Sequence, residues 1–241
     1  MIPVRRREPP AGFDAQVRVP GLRCLYEKVG QAVPPGFART SGKPCARVIR
    51  NGTPLTQIDE LHGEDLADHW SAALPMLTAV YGPTCMYSCF RLRLGVDDGS
   101  VDHFIPKSTA PARAYDWDNL RLSLPRFNRA KGARVDLLDP FVLRAGTFAL
   151  DLVFGKVEVG PGCDPTTHPA ALATIAALQL NARGTCVRRV ELVAAYQEGA
   201  IPLDHLRREN PFVAAEIERQ GLPVRGVGST APAKTELPPP R

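Results

Sequence analysis

Apolar residues recur at three- and four-residue steps between positions 63 and 81: Leu66, Trp70, Ala73, Leu74, Leu77 and Val80. That spacing gives a helix one apolar stripe, and Gly82-Pro83 suits its end. From Cys89 the period changes. Phe90, Leu92 and Leu94 alternate with Arg91 and Arg93, the stretch 96–100 (Val-Asp-Asp-Gly-Ser) offers turn chemistry, and 101–105 can return as a second strand. A hairpin is therefore expected over 89–104. A polar loop rich in Pro and Ala follows over 106–116, and then Trp117-Asp118-Asn119-Leu120-Arg121-Leu122. Pro125 fits the first position of a short helix and Gly132 its end. The expected order is hairpin, loop, helix.

Outside this centre the pattern is plainer. Residues 1–58 are rich in Pro, Gly and Arg with weak periodicity, and hold only a short candidate element around 21–29. The stretch 148–159 alternates enough for one or two short strands. Three helices are expected over 169–180, 185–197 and 203–220, the second with a stripe of Val187, Val190, Val193 and Ala194. From 223 to 241 the composition suits a flexible tail. No internal repeat is evident. The fold class expected is α+β, with an N-terminal extension (1–80, one amphipathic helix), a core (81–145), a segment of short strands and helices (146–222) and the tail.

Composition narrows the setting. A hydrophobic share of 44% and a charged share of 23% suit a soluble chain that buries a core. No apolar run approaches the roughly 20 residues of a membrane span, so no membrane partner is expected. The opening Met-Ile-Pro-Val-Arg-Arg-Arg has no apolar region behind it, which speaks against a secretory signal and for the cytoplasm. Six scattered cysteines (24, 45, 85, 89, 163, 186) read as reduced thiols. A net charge of +5 fits a polyanionic partner without requiring one.

The candidate chemistry lies in Asp102-His103, followed by Asn119 and then Asn128-Arg129-Ala130-Lys131-Gly132. A carboxylate is a hard ligand suited to Mg²⁺ or Mn²⁺, and His103 is a natural group to take a proton from water at neutral pH. Side chains alternate along a strand, so for both to serve one site the strand must bend or end near Pro106. Asn128, on the short helix, can offer its amide oxygen as a second metal ligand. Lys131, three residues on, shares its face and could meet a phosphate. Two protein ligands leave open positions on the ion for a phosphodiester.

This set resembles the HNH endonuclease motif: an Asp/Glu-His pair, an asparagine, then His or Asn on the closing helix. The resemblance implies a ββα-metal finger, embedded here between an irregular, partly helical N-terminal segment and a helical C-terminal one. It implies Asp102 and Asn128 as metal ligands, His103 as general base, and Asn119 as the residue that steadies the histidine loop. The implied activity is metal-dependent hydrolysis of phosphodiesters, with DNA favoured over RNA. One finger cuts one strand, so double-strand breaks would need two copies, as in a homodimer. The wider layout resembles small HNH proteins of bacterial anti-phage systems of the Septu and retron type. Two alternatives follow, an effector inert until an ATPase partner binds it, and a non-cleaving nucleic-acid-binding module.

Many HNH proteins hold the finger with a zinc bound by two Cys-x-x-Cys pairs. Here Cys85 and Cys89 are one residue too far apart and a second pair is missing, so structural zinc is not expected and the two thiols read as packing. Cys163 and His168, separated by residues 164–167, could bind metal, but no metal site is expected there. His62, His69 and His205 have no chemical company, and Trp70 and Trp117 read as packing residues. Between 121 and 134 stand five basic residues (Arg121, Arg126, Arg129, Lys131, Arg134) and no acidic one. Beside a nuclease motif they are expected to contact phosphates, with Lys107 and Arg113 as additions from the loop.

Overall fold

The first helix begins earlier than the weak N-terminal pattern suggests. A π-helical turn, Asp14–Arg18, buries Val17 and runs straight into α1 (Val19–Val29), which buries Cys24, Leu25 and Val29 and ends at Gly30 in the left-handed conformation (φ 69°). The computed structural model describes residues 1–224 other than Leu94, Val96 and Asp97. The expected tail therefore falls, from 225 onward, outside the described residues. Cys24 and Cys45 form a disulfide, which corrects the expectation of six reduced thiols. It ties the loop after α1 back onto that helix, where Glu27 also receives Arg39 and the backbone N–H of Cys45. A two-residue hairpin follows, β1 (Ile49–Arg50) against β2 (Thr53–Pro54), turned by Asn51-Gly52 with both φ values positive.

The stripe over 63–81 is helical only in its second half. Two 3₁₀ turns, Gly63–Asp65 and Trp70–Ala72, precede α2 (Ala73–Tyr81). Short aspartates explain the delay, because Asp65 accepts from the N–H of His62 and Asp68 from that of Ser71. Such bonds offer the backbone an alternative to the helix. Gly82 ends α2 at φ 77°.

The expected hairpin over 89–104 is not formed among the described residues. Instead β3 (Ser100–His103) pairs antiparallel with β4 (Leu120–Ser123), in register Asp102 to Arg121 and His103 to Leu120. Residues 85–92 make a tight loop: Phe90 O accepts from Cys85 N–H, Cys85 O accepts from Cys89 N–H, and Cys89 takes a positive φ of 62°. Met86 N–H then donates to Leu122 O, so this loop lies against β4. The alternation of Phe90 and Leu92 reflects burial in this loop rather than a strand facing β3. After β4 comes α3 (Pro125–Lys131), with Pro125 in its first turn and Gly132 at its end, as the sequence predicts.

Beyond α3, β5 (Phe148–Leu150) and β6 (Val157–Val159) form a small antiparallel pair. Then come α4 (His168–Ala177), α5 (Arg183–Gln197), α6 (Leu203–Glu209) and α7 (Pro211–Gln220). The single helix expected over 203–220 is broken at Asn210, whose side chain caps α7 by accepting from Val213 N–H, with Pro211 starting the new helix. The stripe on α5 is also mixed. Val193 is buried and Val187 exposed, while Arg189 is fully buried and donates to Gly155 O and Leu180 O.

Helices and small antiparallel sheets together make a mixed α+β fold. One core runs through it, from Phe13 and Leu25 through Leu77, Leu120 and Phe127 to Leu178 and Phe212. Backbone bonds join distant segments across this core: Val4 N–H to Pro140 O, and Arg91 N–H to Glu209 O. Among the described residues no helix is long and apolar enough to cross a membrane.

Candidate active site

β3 ends at His103, and the chain then leaves the sheet for a loop that returns at Trp117–Asn119. Asn119 braces this loop. Its Oδ1 accepts from Ile105 N–H at 2.7 Å, and its Nδ2 donates to Ile105 O and Arg113 O at 3.0 and 3.1 Å. The side chain is almost wholly buried, so these bonds satisfy polar atoms shielded from water.

The ring of His103 is fixed on two sides. Nε2 lies 2.9 Å from Ala114 O, and the Trp70 ring stands at 78° to the imidazole with centroids 5.1 Å apart. A carbonyl only accepts, so Nε2 carries the hydrogen and Nδ1 keeps its lone pair. Burial, with Lys107 and Lys131 adding to it, pulls the pKa of His103 down to about 4, against the opposing bond to Ala114. The imidazole is neutral at pH 7.

Asp102, one residue earlier, is buried and fully engaged. Tyr87 donates its hydroxyl to Oδ2, and Lys131 places Nζ 3.2 Å from Oδ1 and 2.5 Å from His103 O. Burial raises the pKa of Asp102, while Lys131 and the Tyr87 bond pull it the other way. Tyr87 itself is held well above its usual range, by burial first and then by the facing carboxylate. Asn128, on α3, donates from Nδ2 to Val101 O and Ser100 Oγ, which turns its amide toward β3.

Asp102, His103 and Asn128 open onto one trough of about 550 Å³, with Trp70, Lys107 and Gly132 also on its walls. Lys107 lies with Nζ 4.1 Å from the centre of the Trp70 ring. Trp70 in turn stacks on Tyr115, whose ring sits so close to α1 that a Cβ at Gly21 would come within 2.3 Å of it. The N-terminal segment thus supports the histidine from behind.

One carboxylate and one amide oxygen are hard donors on adjoining elements. They are too few to enclose a cation, which fits Mg²⁺ or Mn²⁺ that keeps most of its waters. Among the described residues, no three His, Cys, Asp or Glu side chains gather as a metal cage. Cys85 and Cys89 are buried, with Leu124 N–H donating to Cys85 Sγ at 3.4 Å and burial pushing the Cys89 thiol up. Cys85 thus packs at the end of β4.

Two of the expected phosphate contacts are corrected. Arg121 is 1% exposed and pairs with both oxygens of Asp139 at 2.9 and 2.6 Å, over the ring of Phe141. Lys131 is equally buried against Asp102. Both charges have partners inside, and a run of basic residues in sequence does not reveal that. Arg129 and Arg126 are exposed on α3, the latter over Phe127, and Arg134 pairs with Asp136 at 3.8 Å. Arg113 pairs with Asp116 at 3.4 Å. Lys107 is placed on the trough wall. Trp117 packs between Phe13 and Tyr81 and donates to Arg7 O.

Sequence reasoning missed Tyr87, the Trp70 contact and the Ala114 carbonyl. A tyrosine between two cysteines and a tryptophan in an apolar stripe carry no signal of a site fifteen or more residues away, and a carbonyl carries none at all. Comparison with protein-family models and with curated proteins gives no match.

Proposed function

We propose that this chain is a metal-dependent endonuclease of the HNH type that hydrolyses phosphodiester bonds, with DNA the favoured substrate over RNA. The observation that carries this reading is the convergence of Asp102, His103 and Asn128 on one open trough. The bracing of the histidine loop by Asn119 and the order β3, β4, α3 support it, since that order gives the two strands and helix of a ββα finger.

Asp102 and Asn128 would hold the cation. When bound, the ion would offset negative charge on the phosphate and leaving oxygen. His103 accepts the proton of the attacking water at Nδ1, while Nε2 keeps its hydrogen and donates it to Ala114 O. The burial that depresses its basicity also keeps it neutral and ready to accept. An anionic phosphodiester alongside favours the protonated ring and so raises its basicity once substrate is present. Asn119 keeps the loop from drifting, and Trp70 limits rotation of the ring. Lys107, Arg126 and Arg129 supply phosphate affinity without sequence information.

The test is relaxation of supercoiled plasmid in Mg²⁺ or Mn²⁺ against EDTA. Turnover that needs the divalent cation supports the proposal. Tight DNA binding with no turnover under any metal would make the chain a non-cleaving module instead.

A further inference from the structure

We propose that Lys131 is the resident counter-cation of this site and makes divalent-metal binding at Asp102 depend on a nucleic-acid phosphate. The inference rests on the nuclease reading above and adds an order of assembly to it.

Each carboxylate oxygen of Asp102 already has a partner, Tyr87 on Oδ2 and Lys131 on Oδ1. Lys131 is also tied to the backbone carbonyl of His103 and is 1% exposed. Held from two sides in the interior, this ammonium is not a surface arm free to swing toward a ligand. The inner pair has a formal charge of zero. At the rim of the trough Lys107 faces the carboxylates of Asp68 and Glu64, and Asn128 is neutral. A divalent cation placed on Asp102 would share one carboxylate with the ammonium, so the inner group of Asp102, Lys131 and the ion would carry a net positive charge. Like charges a few ångströms apart repel appreciably even at the effective dielectric of a protein site. A phosphodiester brings the missing negative charge, and Mg²⁺ is commonly held by one or two carboxylates together with substrate phosphates. Metal and nucleic acid then bind cooperatively. The factor by which DNA tightens the metal must equal the factor by which the metal tightens DNA.

The experiment uses the full chain with His103→Ala, which keeps the backbone carbonyl that Lys131 uses and leaves DNA uncut. Free Mn²⁺ is followed by its paramagnetic resonance signal, with and without a short DNA duplex, and duplex binding by fluorescence anisotropy with and without Mn²⁺. The expected result is weak Mn²⁺ binding alone and binding about tenfold tighter with duplex, mirrored in the anisotropy. Lys131→Met is expected to tighten Mn²⁺ binding to the DNA-free protein about tenfold and to shrink the effect of the duplex. Mn²⁺ binding that is indifferent to duplex would overturn the proposal, as would a folded Lys131→Met protein that binds Mn²⁺ no tighter. If that variant does not fold, the duplex dependence with Lys131 in place decides alone. Mn²⁺ bound without coupling, and lost in Asp102→Ala, would leave the nuclease reading standing. No Mn²⁺ bound under any condition would remove both.

Discussion

Asn119 treats Ile105 as a strand partner would: Ile105 N–H donates to the side-chain Oδ1 at 2.7 Å, and the side-chain Nδ2 donates back to Ile105 O at 3.0 Å. A single side chain thus replaces a rung of backbone pairing just where β3 leaves the sheet, two residues after His103. The loop that fixes the histidine ring through Ala114 O depends on that rung.

Asn119→Ala should therefore harm both stability and turnover. It leaves buried backbone groups unpaired, at a cost of about 1–3 kcal/mol each. If His103 is the base of the proposed nuclease, its misplacement by about 1 Å should lower the rate roughly a hundredfold. Urea unfolding and single-turnover nicking measure the two effects, and DNA affinity should change far less than the rate.

His103 gives the protein a pH signature. Its pKa falls from the ordinary 6.5 to about 4 on folding, so the unfolded chain binds the proton more readily. That contribution to stability is complete above pH 6.5 and is lost as pH falls toward 4. Urea midpoints between pH 7.5 and 4.5 should drop less in His103→Asn than in the native chain. Equal drops would mean that the ring titrates freely.

The basic residues divide into inner and outer sets with different readouts. Arg121→Met leaves Asp139 without its buried partner and should destabilise the fold by about 3–5 kcal/mol. Lys107→Ala and Arg129→Ala should barely change stability. Each should instead reduce the slope of log K against log salt for DNA binding by about 0.9.

The Cys24–Cys45 bridge closes a loop with a sequence separation of 21. Chain-entropy arguments assign a loop of that size about 3 kcal/mol. A reducing agent should lower the melting temperature, and Cys24→Ala/Cys45→Ala should reproduce the reduced state and show no further response to reductant.

Much of the candidate site was legible because its residues lie close together in sequence. Asp102-His103 at a strand end, Asn119, and an Asn128 helix bracketed by Pro125 and Gly132 all stand where the pattern puts them. The pairing of β3 was not. Alternation at Phe90 and Leu92 suggested a neighbour close in sequence, yet the partner of β3, β4, lies beyond a loop whose tertiary bonds, those of Asn119 among them, carry no sequence signal. Burial of charge was equally hidden. Arg121, Lys131 and Arg189 look like surface residues by type, and only Asp139, Asp102 and the carbonyls of Gly155 and Leu180 show why they are inside. The disulfide was missed because cysteine spacing carries no geometry.

The most direct test of the central claim is the nicking rate of His103→Ala beside the native chain, in Mg²⁺ and in Mn²⁺, with DNA binding measured on the same samples. The expected result is metal-dependent nicking that falls at least about a hundredfold in the variant, while DNA affinity is retained. A folded variant that nicks at the native rate would contradict it.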